Sequence, residues 1–276
     1  MALVDTHIHV FRQGLPLAPI RRYAPDYDAT IDRYTQRMAG HGISHAVIIQ
    51  PSFLGTDNSF MCAALRRHRS QLRGIAVVDP AISDDELSAL EGDGVVGIRL
   101  NVDGMSMPDL AHGRWPRLLD GVQRRGWQVE VHCDGRELPR LIAPLVDAGV
   151  NVVVDHFGRP DDELGVDDPG FRHLLAQART SRVWVKLSGA YRNGSDGRGL
   201  ATAPKAAAML MESFGRDRLV WGSDWPHTRH ESREDISTIL REFERWIPDA
   251  ADRAYIAGPS ALALFRFDDG ASEAAA

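Results

Sequence analysis

Cysteine is nearly absent: Cys62 and Cys133 are the only two among 276 residues. That is too few for a disulfide framework, so a hydrophobic core must hold the fold and both thiols are expected to be reduced. Positive charge is also in short supply, since the formal net charge of -6 leaves no electrostatic footprint for nucleic acid. No apolar run approaches the ~18 residues of a membrane span, and no charged segment followed by an apolar one opens the chain. The reading is therefore cytoplasmic, with neither nucleic acid nor membrane as a partner. No Gly-x-Gly-x-x-Gly follows a strand-like run, and no low-complexity linker divides the sequence. With 43% hydrophobic and 25% charged residues, the expectation is one globular domain over 1–269 and a frayed tail over 270–276.

What is present is a repeat of short runs rich in Val and Ile, separated by helical stretches. The runs are Leu3–His9, His45–Gln50, Arg73–Val78, Val95–Asn101, Trp127–Cys133, Asn151–Phe157, Val183–Gly189 and Leu219–Trp225. Ser83-Asp84-Asp85-Glu86 carries the N-cap and capping-box signature of a helix start. Eight such units predict an α/β fold, the single-domain (β/α)8 TIM barrel, with a doubly wound open sheet as runner-up. Two connections are longer than a plain crossover: Arg12 to Thr30, with three prolines, and the Gly- and Arg-rich Tyr191 to Leu200. Both are candidate lids over the face where the strands end.

In such a barrel the chemistry gathers at the C-terminal strand ends. His7 and His9, spaced i, i+2, project from one face of the first strand and could share a divalent metal, shuttle protons or bind an anion. Later strands deliver Gln50 and Ser52, Arg99 and Asn101, Glu130 and His132, His156 with Arg159, Lys186 with Ser188 and Tyr191, and Asp224 with His227. Each alone could be a packing residue, but several histidines and an aspartate converging from separate strands are costly to bury without a task. Arg99, Arg159 and Arg192 offer guanidinium forks suited to carboxylates, although Arg192 sits in a polar loop where arginines usually face solvent.

The motifs Asp5-Thr6-His7-Ile8-His9, Val131-His132, Asp155-His156-Phe157-Gly158-Arg159-Pro160 and Gly222-Ser223-Asp224-Trp225-Pro226-His227 together resemble the amidohydrolase superfamily over nearly the whole chain. Tyr23-Ala24-Pro25, Gln50-Pro51-Ser52, Gly55-Thr56-Asp57-Asn58 and Gly97-Ile98-Arg99-Leu100-Asn101 are further similar to its branch of 2-pyrone-4,6-dicarboxylate hydrolases, lactonases of aromatic catabolism. The resemblance implies a hydrolase opening a small carboxylated lactone. Asp224 would be the general base, and His7, His9 and His156 would polarise the carbonyl. Tyr23, Ser52, Arg99, His132, Arg159, Tyr191, Arg192 and His227 would bind substrate, while Gly55–Asn58 could equally be a plain turn.

The superfamily also implies a metal on His7, His9, His132 or His156, and Asp224, whereas the pyrone-dicarboxylate branch works without one. Strand four carries no bridging carboxylate or lysine, which argues against two metals. Arg99 adds a fixed positive charge, so no essential cofactor is expected, with one zinc on His7, His9, His132 and Asp224 as the alternative. A metal-dependent decarboxylase or amide hydrolase, a sugar-lactone hydrolase or isomerase, and a non-catalytic binder are the competing readings. The partner is a small anionic substrate, and either a monomer or a homo-oligomer is compatible.

Overall fold

A computed structural model describes residues 3–233 and 235–267, so the expected tail over 270–276 lies outside the described residues. Eight parallel strands run in sequence order: β1 (Leu3–Ile8), β2 (Ile43–Ile49), β3 (Leu72–Ala76), β4 (Val95–Asn101), β5 (Gln128–His132), β6 (Asn151–Val154), β7 (Val183–Leu187) and β8 (Leu219–Trp221). The ring closes between β8 and β1. Thr6 Oγ1 donates to the Trp221 carbonyl (2.8 Å), Asp224 N to His7 O (2.9 Å) and His9 N to Trp225 O (2.8 Å). The first and last elements are thereby stitched at the level where the histidines leave the sheet.

The outer layer alternates with the strands: α1 (Ile31–Met38), α2 (Ser59–Arg67), α3 (Asp84–Asp93), α4 (Trp115–Arg124), α5 (Leu138–Asp147), α6 (Pro169–Ala176), α7 (Arg198–Phe214) and α8 (Ile236–Trp246). The expected capping box starts α3, with Glu86 N donating to Ser83 Oγ and Ser83 N to Glu86 Oε2. Two short helices, α9 (Ala250–Tyr255) and α10 (Ala261–Phe265), follow. Phe265 and Phe267 pack with Val4, Val47, Ile49, Ile75, Val96 and Val220 as an apolar cluster separate from the main core.

Several strands are shorter than the sequence suggests. β6 stops at Val154 and β8 at Trp221, not at Phe157 and Trp225. The cause is backbone geometry, since His156 (φ 52°), Phe157 (φ 60°) and Asp224 (φ 64°) all take the left-handed region, which a strand cannot contain. Apolar character continued past the point where the chain turned. His156 and Asp224 therefore sit on strained turns just beyond the strands, a backbone state that clusters at functional sites.

Candidate active site

The imidazoles of His7 and His9 lie with ring centroids 5.0 Å apart, and His156 lies 4.8 Å from His7. Local folding explains how three rings share so little space. At Gly189, just past β7, an added Cβ would come within 2.6 Å of His156 Nδ1 and 2.9 Å of Asp224 Oδ2. At Gly222, past β8, it would come within 2.7 Å of His7 Cβ. The two glycines make the room.

Asp224 is fully buried and asymmetric. Tyr191 Oη donates to its Oδ2 at 2.6 Å and Arg192 Nε donates to the same oxygen. Oδ1 has no hydrogen-bond partner among the described residues and faces His7 Nε2 at 3.8 Å and His9 Nε2 at 3.9 Å. Burial favours the neutral acid, but Arg192, then His156 and His7, outweigh it and hold the carboxyl well below the usual carboxylate range.

His9 Nδ1 lies 2.8 Å from the Ile49 carbonyl, which can only accept, so the proton sits on Nδ1 and Nε2 keeps a lone pair. Burial, and then Arg99, lower its pKa to about 3. His156 shares a hydrogen bond with Ser188 Oγ at 2.9 Å, and burial brings it to about 4. His7 is lowered well below the usual imidazole range too, by burial and then by Lys186. All three rings are thus neutral near pH 7 and none is a resident cation; His7 and His156 can act as donors or ligands, and His9 as a ligand or acceptor through Nε2.

Beneath this layer Asp155 accepts from Arg99 Nε (3.1 Å) and Nη2 (2.7 Å) through Oδ2, and its Oδ1 approaches His7 Nδ1 (3.4 Å) and Lys186 Nζ (3.5 Å). Lys186 Nζ also stands 3.3 Å from His7 Nδ1. Sequence reading passed over Asp155 as a site residue, although it adjoins His156 in the same motif. It also gave Arg99 wholly to substrate, whereas the structure pairs that guanidinium with a buried aspartate.

A cavity of about 180 Å³ opens above, lined by Tyr23, Ser52, Arg99, His132, Arg159 and Arg192, all six expected from sequence, together with His9, His156 and Asp224. Arg22, Asn101, Asp103, Thr228, Arg229 and His230 also line it. Of these, Arg22 had a signal in its neighbour Tyr23, while nothing distinguished Asp103 or His230 from loop polarity. Both long connections reach the site. Arg12–Thr30 brings Arg22 and Tyr23, its neck held by paired main-chain bonds between Phe11 and Ala29 (2.8 and 2.9 Å). The loop after β7 brings Tyr191 and Arg192.

Arg192, expected on the substrate despite its polar loop, lines the cavity and pairs with Asp224, its side chain 17% exposed. Two other expectations need revision. Tyr191 bonds Asp224, and His227 is buried with Nε2 donating to Ser223 O; neither is among the residues lining the cavity. His132 stands apart from the candidate ligand groups. Its Nδ1 donates to Asn101 Oδ1 (3.1 Å), which leaves Nε2 toward Arg159 Nη1 at 3.4 Å. Among the described residues the groups able to hold an ion are His7, His9 and Asp224, and His7, Asp155 and His156, each with ligand atoms within 4.8 Å of one another.

The first group fits a divalent ion, since two imidazole nitrogens and a carboxylate oxygen converge and two of those atoms, His7 Nε2 and Asp224 Oδ1, are otherwise unsatisfied. The second fits poorly because Arg99 and Lys186 already compensate Asp155.

The amidohydrolase family profile matches residues 4–267, essentially the barrel just described. The chain belongs to the amidohydrolase family. Among amidohydrolase relatives, a 2-pyrone-4,6-dicarboxylate hydrolase of Comamonas testosteroni is 32% identical over 91% of this chain and 84% of its own length. A 4-sulfomuconolactone hydrolase of Rhizobium radiobacter is 31% identical over 95% and 89%. A solved Acinetobacter baumannii structure, assigned as a 2-pyrone-4,6-dicarboxylic acid hydrolase and holding citric acid, superposes with a TM-score of 0.93 at 36% identity, covering 97% of this chain and 100% of that one. No helix among the described residues is long and apolar enough to cross a membrane.

Proposed function

We propose that this amidohydrolase opens a small lactone carrying carboxylate groups, the substrate class of its 2-pyrone-4,6-dicarboxylate and sulfomuconolactone relatives. The observation that carries the reading is the division of Asp224: one oxygen is clamped by Tyr191 and Arg192, and the other is unpaired amid three neutral imidazoles in an arginine-lined cavity. Asp224 Oδ1 takes a proton from water as the water oxygen attacks the lactone carbonyl carbon. N–H groups of His7 and His156 stabilise the tetrahedral oxyanion, a contribution of about 3 kcal/mol per donor in comparable sites, while His9, its one proton committed to the Ile49 carbonyl, presents a lone pair. Collapse breaks the ring C–O bond, and the proton on Asp224 passes to the departing oxygen.

The low basicity set by Arg192 keeps Asp224 ionised at working pH but lowers its drive to accept a proton. A substrate carboxylate seated beside Arg192 would share that guanidinium and restore basicity, which couples anion binding to base strength. The arginines account for the anionic class: Arg22, Arg99, Arg159, Arg192 and Arg229 line the cavity against only Asp103 and Asp224.

A divalent ion held by His7, His9 and Asp224 would supply a water with its pKa lowered to about 7. The proposal does not require it, because Asp224 can serve as base with its clamped oxygen already compensated. A panel of lactones tests the reading by ring-opening absorbance. Carboxylated or sulfonated rings should be hydrolysed and their neutral counterparts spared. A folded enzyme that opens no anionic lactone would refute it.

A further inference from the structure

The mouth of the cavity is tied across three loops by one carboxylate oxygen. Asp103 Oδ2, past β4, pairs with Arg22 Nη1 from the long connection after β1 and, at 2.8 Å, with Arg159 Nη1 from the turn after β6. All three residues line the cavity, and their side chains are 18%, 30% and 19% exposed, so the contact stands at the solvent edge where a ligand enters. Arg159 is further engaged by Asp134 at 3.3 Å and approaches His132 Nε2 at 3.4 Å. Arg22 has no second acidic partner among the described pairs.

We infer that Asp103 is a competing anion built into the chain: it occupies Arg22 and Arg159 in the empty site, and an entering carboxylate of the substrate replaces it. This rests on the reading of the cavity as a carboxylate site and adds a specificity determinant to it. The reason is electrostatic. A ligand carboxylate within reach of the two guanidiniums must also stand beside Asp103, and like charges at that range repel unless one withdraws. The tethered anion has the advantage of high effective concentration. A ligand with a single anionic group therefore exchanges one pairing for an equivalent one and gains little. A ligand whose second anionic group reaches Arg99 or Arg192 at the same time gains a pairing that Asp103 cannot supply. Asp103 thus sets how much charge a ligand must carry to be held.

The test is calorimetric binding of citrate, as a carboxylate probe, at fixed ionic strength. Asp103→Asn should tighten citrate binding on the order of tenfold, and Asp103→Ala should do likewise if the amide perturbs the loop. A double-mutant cycle with Arg22→Met separates competition from scaffolding. If Asp103 competes, Arg22→Met weakens binding more in the Asp103→Asn background than in the wild type, because Arg22 is then free to serve the ligand. If Asp103 only positions Arg22, Asp103→Asn weakens binding and the Arg22 effect shrinks; that result, or citrate binding unchanged by Asp103→Asn, overturns the inference. Citrate binding to neither folded protein would overturn it together with the carboxylate reading, a pattern distinct from failure of the Asp103 role alone.

Discussion

Lys186 Nζ lies 2.7 Å from Glu130 Oε1, both side chains wholly buried, with the Phe265 ring centroid 5.8 Å from the ammonium. This ion pair joins the floor of the site to the histidines above, since the same ammonium stands 3.3 Å from His7 Nδ1. Burial pushes the Glu130 carboxyl up to about 7, against the pull of Lys186. A buried pair of this kind contributes little net stability, yet breaking it leaves an uncompensated charge.

Glu130→Gln should therefore cost about 3–5 kcal/mol in chemical denaturation. Lys186→Met should cost less at pH 6 than at pH 8, because at pH 6 Glu130 already holds its proton. The double variant should recover much of the loss. Equal and additive penalties would show that the two groups do not interact.

The clamp on Asp224 gives a kinetic prediction. Asp224→Asn should lower kcat about 10²–10⁴-fold, the range of a lost general base, with the fold intact by circular dichroism. Tyr191→Phe removes one donor to Oδ2 and should lower kcat about tenfold with little change in KM, as expected for a residue outside the cavity lining. A change confined to KM would place Tyr191 on the substrate instead.

Much of this was legible in the sequence because period and position carry it. Eight Val- and Ile-rich runs sufficed for the barrel, and residues at their ends named His7, His9, His156 and Asp224 before any contact was known. Strand ends were misplaced at β6 and β8 because apolar composition cannot report a left-handed φ at His156 or Asp224. Asp103, and the pairing of Arg192 with Asp224, went unseen for a different reason: polar loop residues look alike until the fold decides which of them face one another. Asp155 lay in a quoted motif, but its pairing with Arg99 is a relation between strands four and six that a linear pattern does not contain.

Gly189→Ala should act at the chemistry and not only on stability. Its φ of 54° costs a residue with a side chain about 1–3 kcal/mol, and the new methyl would press on His156 Nδ1 and Asp224 Oδ2 together. The expected result is a folded, less stable protein with kcat reduced at least about tenfold. Activity preserved alongside reduced stability would show that the rings can move aside.

Removal of divalent ions tests the His7, His9 and Asp224 group directly. Protein treated with a chelator and checked by elemental analysis should keep most of its lactone-opening activity, and added zinc should change it little. Activity that vanishes and returns with zinc would make the ion part of the machinery.

Stability against pH follows from groups with opposed signs. His9 and His156 titrate at about 3 and about 4 in the fold against 6.5 when free, and His7 and His132 are lowered as well, all through burial first. Between about pH 4 and 6.5 the unfolded chain thus binds protons that the native one refuses. This contribution is complete above 6.5 and is lost as pH falls. Asp5, raised by burial to about 6 from 3.8, and Glu130, raised to about 7 from 4.5, act the other way, because the native state holds their protons and stability declines as pH rises through those windows. The lowered imidazoles outnumber the two raised carboxyls, so near pH 5 the unfolded state binds the more protons and stability rises with pH. The denaturation midpoint should therefore climb steeply from pH 5 to 6.5 and level off above it. In Glu130→Gln, where one opposing carboxyl is gone, the climb should be steeper than in the wild type. A flat or falling midpoint over that interval would mean the buried histidines carry protons in the native state, and with them the neutral-donor role assigned to His7 and His156 would fall.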